Sequence, residues 1–142
     1  MRSIVNIVNF IRGSEPRDRS IDLVWPVREQ IALLKKHNLP GTFLAQYDAL
    51  AREDIVSLLK PLDPAQFELG VWLEMNAPHA GAAGLAWRGR FDWDWHANVG
   101  FLVGYAPEER ERLIDALFEK FRRTFGHLPR SVGAWMIDAH SL

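Results

Sequence analysis

The chain alternates short apolar runs with amphipathic stretches, and this order constrains its fold more than any other feature. Residues 3–11 (SIVNIVNFI) are apolar at nearly every position, the pattern of a parallel strand buried on both faces. A polar loop carrying Gly13, Ser14 and Pro16 follows. Asp22 stands where a helix N-cap belongs, Pro26 falls in the first turn, and Val24, Val27, Ile31 and Leu34 recur at helical spacing. The stretch His37-Asn38-Leu39-Pro40-Gly41 stops that helix. Residues 42–46 read as a second strand. Residues 47–59 read as a helix with Leu50, Ile55, Leu58 and Leu59 on one side, closed by Pro61 and Pro64. Residues 67–73 (FELGVWL) read as a third strand, and 74–106 as a long irregular stretch, of the kind that is functional or holds short helices. The pattern over 107–125 predicts the clearest helix. Pro107 opens it, Glu108 and Glu109 suit its dipole, and Leu113, Ile114, Leu117, Phe118, Phe121 and Phe125 form its apolar stripe before Gly126. Residues 131–137 (SVGAWMI) read as a fourth strand.

The resulting order, β-α-β-α-β-loop-α-β, predicts an α/β fold with a parallel sheet and right-handed crossovers. Length suits a single domain over 1–142, and neither a repeat nor a linker interrupts it. Four apolar strands with so few helices to cover them predict the N-terminal part of a parallel (β/α) barrel. A C-terminal remainder, or a second copy in a homo-oligomer, would cover the exposed strands.

Composition narrows the partners. With 17 basic and 18 acidic residues the net charge is −1, so no global field favours nucleic acid or an anionic membrane. The absence of cysteine excludes a disulfide framework, a thiolate zinc site and a thiol nucleophile. No apolar run approaches a membrane span, and the N-terminal residues make a poor signal peptide, which leaves a cytoplasmic location as the default. The chain has no P-loop, dinucleotide fingerprint or nucleophile elbow. Its unusual component is 6 Trp among 142 residues, three of them at Trp87, Trp93 and Trp95.

Several passages together resemble the polysaccharide deacetylase-like superfamily, the glycoside hydrolase/deacetylase barrels. Residues 33–44 (LLKKHNLPGTFL) are similar to that family's passage from a helix into its next strand, and 67–71 (FELGV) to its HEIGxH strand. Residues 107–129 are similar to its long helix with the following G-x-x-P, and 131–135 take the place of its next strand. The resemblance implies a deformed (β/α) barrel that acts on carbohydrate. The family's catalytic motifs are replaced. Its paired aspartates give way to Asn9-Phe10-Ile11-Arg12-Gly13-Ser14-Glu15, and its metal-binding H-[ST]-x-x-H to residues 71–79 (VWLEMNAPH). Its Arg-Pro-Pro gives way to Gly133-Ala134-Trp135-Met136. The resemblance therefore implies a divergent member without standard metal-dependent deacetylation.

In a parallel barrel, function gathers at the carboxyl ends of the strands. That rule puts Arg12, Glu15, Gln46, Tyr47, Glu74, Asn76, Asp138 and His140 on one rim, together with the 74–106 stretch. Glu74 and Asp138 are the candidate catalytic acid/base groups. Asp138 and His140 could also hold a divalent metal. Asp94-Trp95-His96 repeats the same D-x-H spacing, in which one group can equally orient the other. Trp72, Trp87, Arg88, Trp93, Asp94, Trp95 and Trp135 are the candidate substrate-binding residues. Aromatic faces stack on the apolar faces of sugars, while Asp and Arg reach hydroxyls; anchoring of the long loop is the competing role for the same side chains. His37 and His127 fall at helix ends, next to terminal carbonyls. The expected function is a carbohydrate-active hydrolase domain with a saccharide ligand. The alternative is a non-catalytic carbohydrate-binding or scaffold domain, or an inactive fragment of a larger enzyme.

Overall fold

A computed structural model describes Val5 and residues 7–137. Four parallel strands, β1 (Val8–Ile11), β2 (Gly41–Ala45), β3 (Phe67–Leu73) and β4 (Val132–Ala134), lie in sequential order in one sheet. They curl into a half-barrel with helices interleaved between them. Helix α1 (Val24–Lys36) joins β1 to β2, and α2 (Glu53–Leu59) joins β2 to β3. Two short helices, α3 (Ala77–Ala82) and α4 (Ala97–Gly100), precede the 19-residue α5 (Pro107–Phe125), which leads into β4.

Local chemistry sets these boundaries. The Asp22 carboxylate accepts from the backbone N–H groups of Val24 (2.8 Å) and Trp25 (3.0 Å), as the N-terminal turn of α1 needs. Val24, Val27, Ile31 and Leu34 are all buried, as their spacing predicts. At the start of α5, Glu109 reaches back to the N–H of Ala106 at 2.9 Å. Gly126, at φ 85°, supplies the left-handed residue that ends the helix. The helix read over 47–59 is in fact two pieces, a 3-10 turn at Ala49–Ala51 and α2, separated by an extended Arg52 (φ −99°, ψ 115°). The break follows from Asp48. Its carboxylate takes the N–H groups of Ala49 and Gly13 and the Ser14 hydroxyl, and Arg52 turns to bond the carbonyl of Gly13. Burial pushes the Asp48 carboxyl upward against those three hydrogen bonds. The two pieces thus fasten the β1–α1 loop to the carboxyl end of β2.

Side chains alternate across the sheet. Ile11, Phe43, Ala45, Phe67, Val71 and Leu73 share one core with Val27, Ile31, Ile55, Leu59, Leu113, Leu117 and Phe121 of the helices. The opposite, inner face carries Phe10, Leu44, Trp72 and Gly133. The register pairs Phe10 with Leu44, Leu44 with Gly70, and Trp72 with Gly133. A Cβ at Gly133 would lie 2.5 Å from the Trp72 ring, so this glycine lets the indole lie flat on β4. The expectation of a first strand buried on both faces is only half met. Ile11 is buried, but Val8 is 50% and Phe10 41% exposed on β1, which is an edge of the sheet. The fourth strand is also shorter than read, 132–134 in place of 131–137; the chain bends at Trp135, and Met136 takes φ 52°.

Candidate functional site

The carboxyl end of β3 organises the rim. Trp72 and Glu74 lie two residues apart on the inner face, and Glu74 is only 3% exposed. Its carboxylate collects N–H donors from four chain segments. Oε2 accepts from Gln46 Nε2 (3.0 Å), Trp72 Nε1 (2.9 Å) and Trp135 Nε1 (3.2 Å), while Oε1 accepts from Trp93 Nε1 (2.7 Å). Three indoles therefore converge on one carboxylate. Trp93 is brought there by an antiparallel bridge between Asn76 and Trp93, reinforced by the Ala77 N–H donating to the Asp92 carbonyl at 2.7 Å.

Phe10, Trp72 and Trp135 form one aromatic cluster beside Glu74. Phe10 stacks on Trp72 (5.0 Å between centroids, 22°), and Trp135 meets Trp72 edge-on at 5.1 Å. Phe10 and Trp135 keep 41% and 44% of their surface in solvent. At the rim, Arg12 lies 4.7 Å over the Trp93 ring, and Arg17 lies 5.6 Å from Trp93 and 5.9 Å from Trp95. Both arginines pair with Glu15, at 3.0 Å and 2.7 Å. The Arg17 hydrogen bond pulls the Glu15 carboxyl down to about 2.

The structure divides the seven candidate substrate-binding residues. Trp72, Trp93 and Trp135 meet at Glu74, and Trp95 extends the surface outward at 5.9 Å from Trp93. Trp87 and Arg88 serve the loop instead. Trp87 packs against the core and donates to the Phe91 carbonyl at 2.6 Å. Arg88 bonds the Gly104 carbonyl and Glu109 and lies 4.8 Å over Tyr105, which fastens the loop to the start of α5. Asp94 is buried and bonds Arg90 and His96. Asp138 and His140 lie outside the described residues. Among the described residues, no group of three His, Asp or Glu is placed to hold a metal ion, and no helix is long and apolar enough to cross a membrane.

The strand-end rule puts Gln46 on the rim, but its bond to Glu74 and the place of Phe10 in the aromatic cluster are additions of the structure. The signal was present as a period-two pattern, Phe10/Arg12, Leu44/Gln46, Trp72/Glu74 and Gly133/Trp135.

Beneath the rim, His79 is fully buried and stacked on Tyr47 at 5.1 Å and 7°. Its Nε2 lies 2.7 Å from the Leu113 carbonyl, which can only accept, so Nε2 carries the hydrogen; Nδ1 is buried without a partner. Burial pushes the His79 pKa down to about 4, against the opposing pull of the Leu113 carbonyl. Because the folded value lies below the unfolded 6.5, the unfolded chain takes up the proton first as pH falls. The stability tied to neutral His79 is complete above about pH 6.5 and is lost toward pH 4, by about 3 kcal/mol. Urea midpoints at about pH 7 and pH 4.5 should show this loss, and His79→Gln should flatten it; a wild-type midpoint that does not move contradicts the assignment. Glu15 and Asp94, both held below the usual carboxylate range, add their losses at lower pH.

Comparison with family models, with curated proteins and with solved structures gave no match to this chain.

Proposed function

We propose that this half-barrel acts on saccharides, with a sugar ring lying on the Phe10–Trp72–Trp135 surface and Glu74 as the carboxylate set among those rings. The observation that carries the reading is the convergence of three indole N–H groups on one carboxylate at the carboxyl end of a parallel strand. Exposed aromatic faces offer apolar contact to a sugar's C–H surface, and a carboxylate beside them serves as acid, base or nucleophile in hydrolysis. Asp138 is the second carboxylate of this reading, by its place in the sequence, and with His140 the candidate site for a divalent metal. The element order, and the similarity of 33–44, 67–71 and 107–135 to the corresponding passages, support membership of the polysaccharide deacetylase-like barrels. The replaced motifs argue for a divergent branch of that superfamily.

A specific observation favours a second reading. Glu74 already accepts four N–H groups and is 3% exposed, which suits a carboxylate that shapes a binding surface without turnover. One experiment separates the two. The chain is incubated with a panel of plant, fungal and bacterial polysaccharides, and reducing ends, released acetate and retardation in polysaccharide-containing gels are measured. Hydrolysis predicts release by the wild type that Glu74→Gln abolishes, and weakened retention in Trp135→Ala. Retention without release establishes the non-catalytic reading. Neither retention nor release on any polysaccharide refutes both.

A further inference from the structure

The rim loop holds a second arrangement that uses neither Glu74 nor the inner aromatic face. The Asp94 side chain is 2% exposed and is fixed from several sides. Its Oδ2 accepts from Arg90 Nε (3.0 Å) and the Arg90 backbone N–H (3.2 Å). Its Oδ1 accepts from the His96 backbone N–H (3.3 Å) and lies 2.6 Å from His96 Nδ1. Arg90, followed by His96, holds the Asp94 carboxyl well below the usual carboxylate range, so it is an anion at neutral pH. In the neutral His96 imidazole, an anionic oxygen at 2.6 Å places the one hydrogen on Nδ1 and leaves Nε2 with its lone pair free. Arg90 Nη2, 3.3 Å from the same Nδ1, then turns its hydrogen to Oδ1 at 3.4 Å. The imidazole is half in solvent and stacks on Trp95 at 5.9 Å and 24°. Trp95 in turn lies 5.9 Å from Trp93, an indole that bonds Glu74, and Arg17 lies 5.9 Å over the Trp95 ring. A buried carboxylate that orients a half-exposed imidazole is the arrangement that general-base catalysis needs.

We propose that His96, oriented by Asp94 and Arg90, is a general base that activates water at the rim; this rests on the hydrolytic reading given above. Nε2 takes one proton from a water molecule while that water's oxygen forms a bond to the electrophilic carbon of the substrate. The imidazolium so formed is stabilised by the Asp94 carboxylate. It returns the proton to the departing oxygen as the bond between carbon and that oxygen breaks. One water is consumed, one hydroxyl product leaves, and His96 is again neutral.

Two measurements test this without any saccharide, so that failure of the saccharide reading shows separately in the gel and release assays. Long-range proton–nitrogen correlation spectra at about pH 8 should show His96 with its hydrogen on Nδ1, the form that a free imidazole disfavours, and Asp94→Asn should abolish that preference. A hydrogen on Nε2 in the wild type overturns the proposal. The second measurement is hydrolysis of ethyl dichloroacetate, an activated ester whose poor alkoxide leaving group makes an imidazole act on it as a general base toward water and not as a nucleophile. His96→Gln should lower this rate at least about tenfold, while His37→Gln and His127→Gln, at exposed helix ends, should each leave most of it. Equal losses in all three variants overturn the proposal. Because Asp94 is buried, the half-exposed His96 is the variant on which the rate comparison is judged, with far-ultraviolet circular dichroism confirming its fold.

Discussion

Replacing Glu74 by alanine should destabilise the chain by about 4 kcal/mol, the summed cost of leaving several buried donors without an acceptor. Gln46 Nε2, Trp72 Nε1 and Trp93 Nε1 all end on this carboxylate in buried surroundings, and Trp135 Nε1 ends there at the half-buried edge. The first three are buried, so truncation at position 74 leaves them without their acceptor. Glu74→Gln keeps one acceptor oxygen and the volume, but sets an NH2 group among N–H donors, so about half that loss is expected. Urea unfolding followed by circular dichroism measures both. An alanine variant within about 1 kcal/mol of wild type would mean that the four donors find other acceptors, and the carboxylate would lose its role as the keystone of the rim.

Phe121→Ala should cost a similar amount, about 4 kcal/mol, through a different mechanism. Phe121 is fully buried on α5, its ring 4.7 Å from Phe125 and 5.5 Å from the His127 imidazole. Truncation removes apolar surface from the core and leaves a cavity between α5 and the sheet that close packing cannot fill. For a chain of this size the melting temperature should fall by about 10 °C or more. Phe125→Ala, at a half-buried position, should cost roughly half as much, and equal melting temperatures for the two variants would contradict this account of the core.

The elements were readable where a single physical rule acted alone. The third strand and the long helix were bounded correctly, because apolar alternation and the Pro107 and Gly126 signals agree there. The helix read through 47–59 breaks because Asp48 spends its carboxylate on Gly13 and Ser14, more than 30 residues away, a tertiary bond that no local pattern announces. The same limit applied to the site. Glu74 could be placed at a strand end from sequence, and so could the tryptophans near the rim. Which indoles would turn inward depended on the Asn76–Trp93 bridge and on Gly133 giving Trp72 room. Trp87 and Arg88 share the composition of the cluster but are drawn off by the Phe91 and Gly104 carbonyls and by Glu109.

The carboxylate of Glu74 also fixes an order of assembly. Its donors come from 2, 19, 28 and 61 residues away along the chain, so the loops they close differ widely in entropic cost. The bond from Trp72 forms within β3 itself, whereas the bond from Trp135 must wait until α5 has packed and β4 has docked. A rim completed only when β4 arrives exists in the four-stranded sheet and in no partly folded form of it.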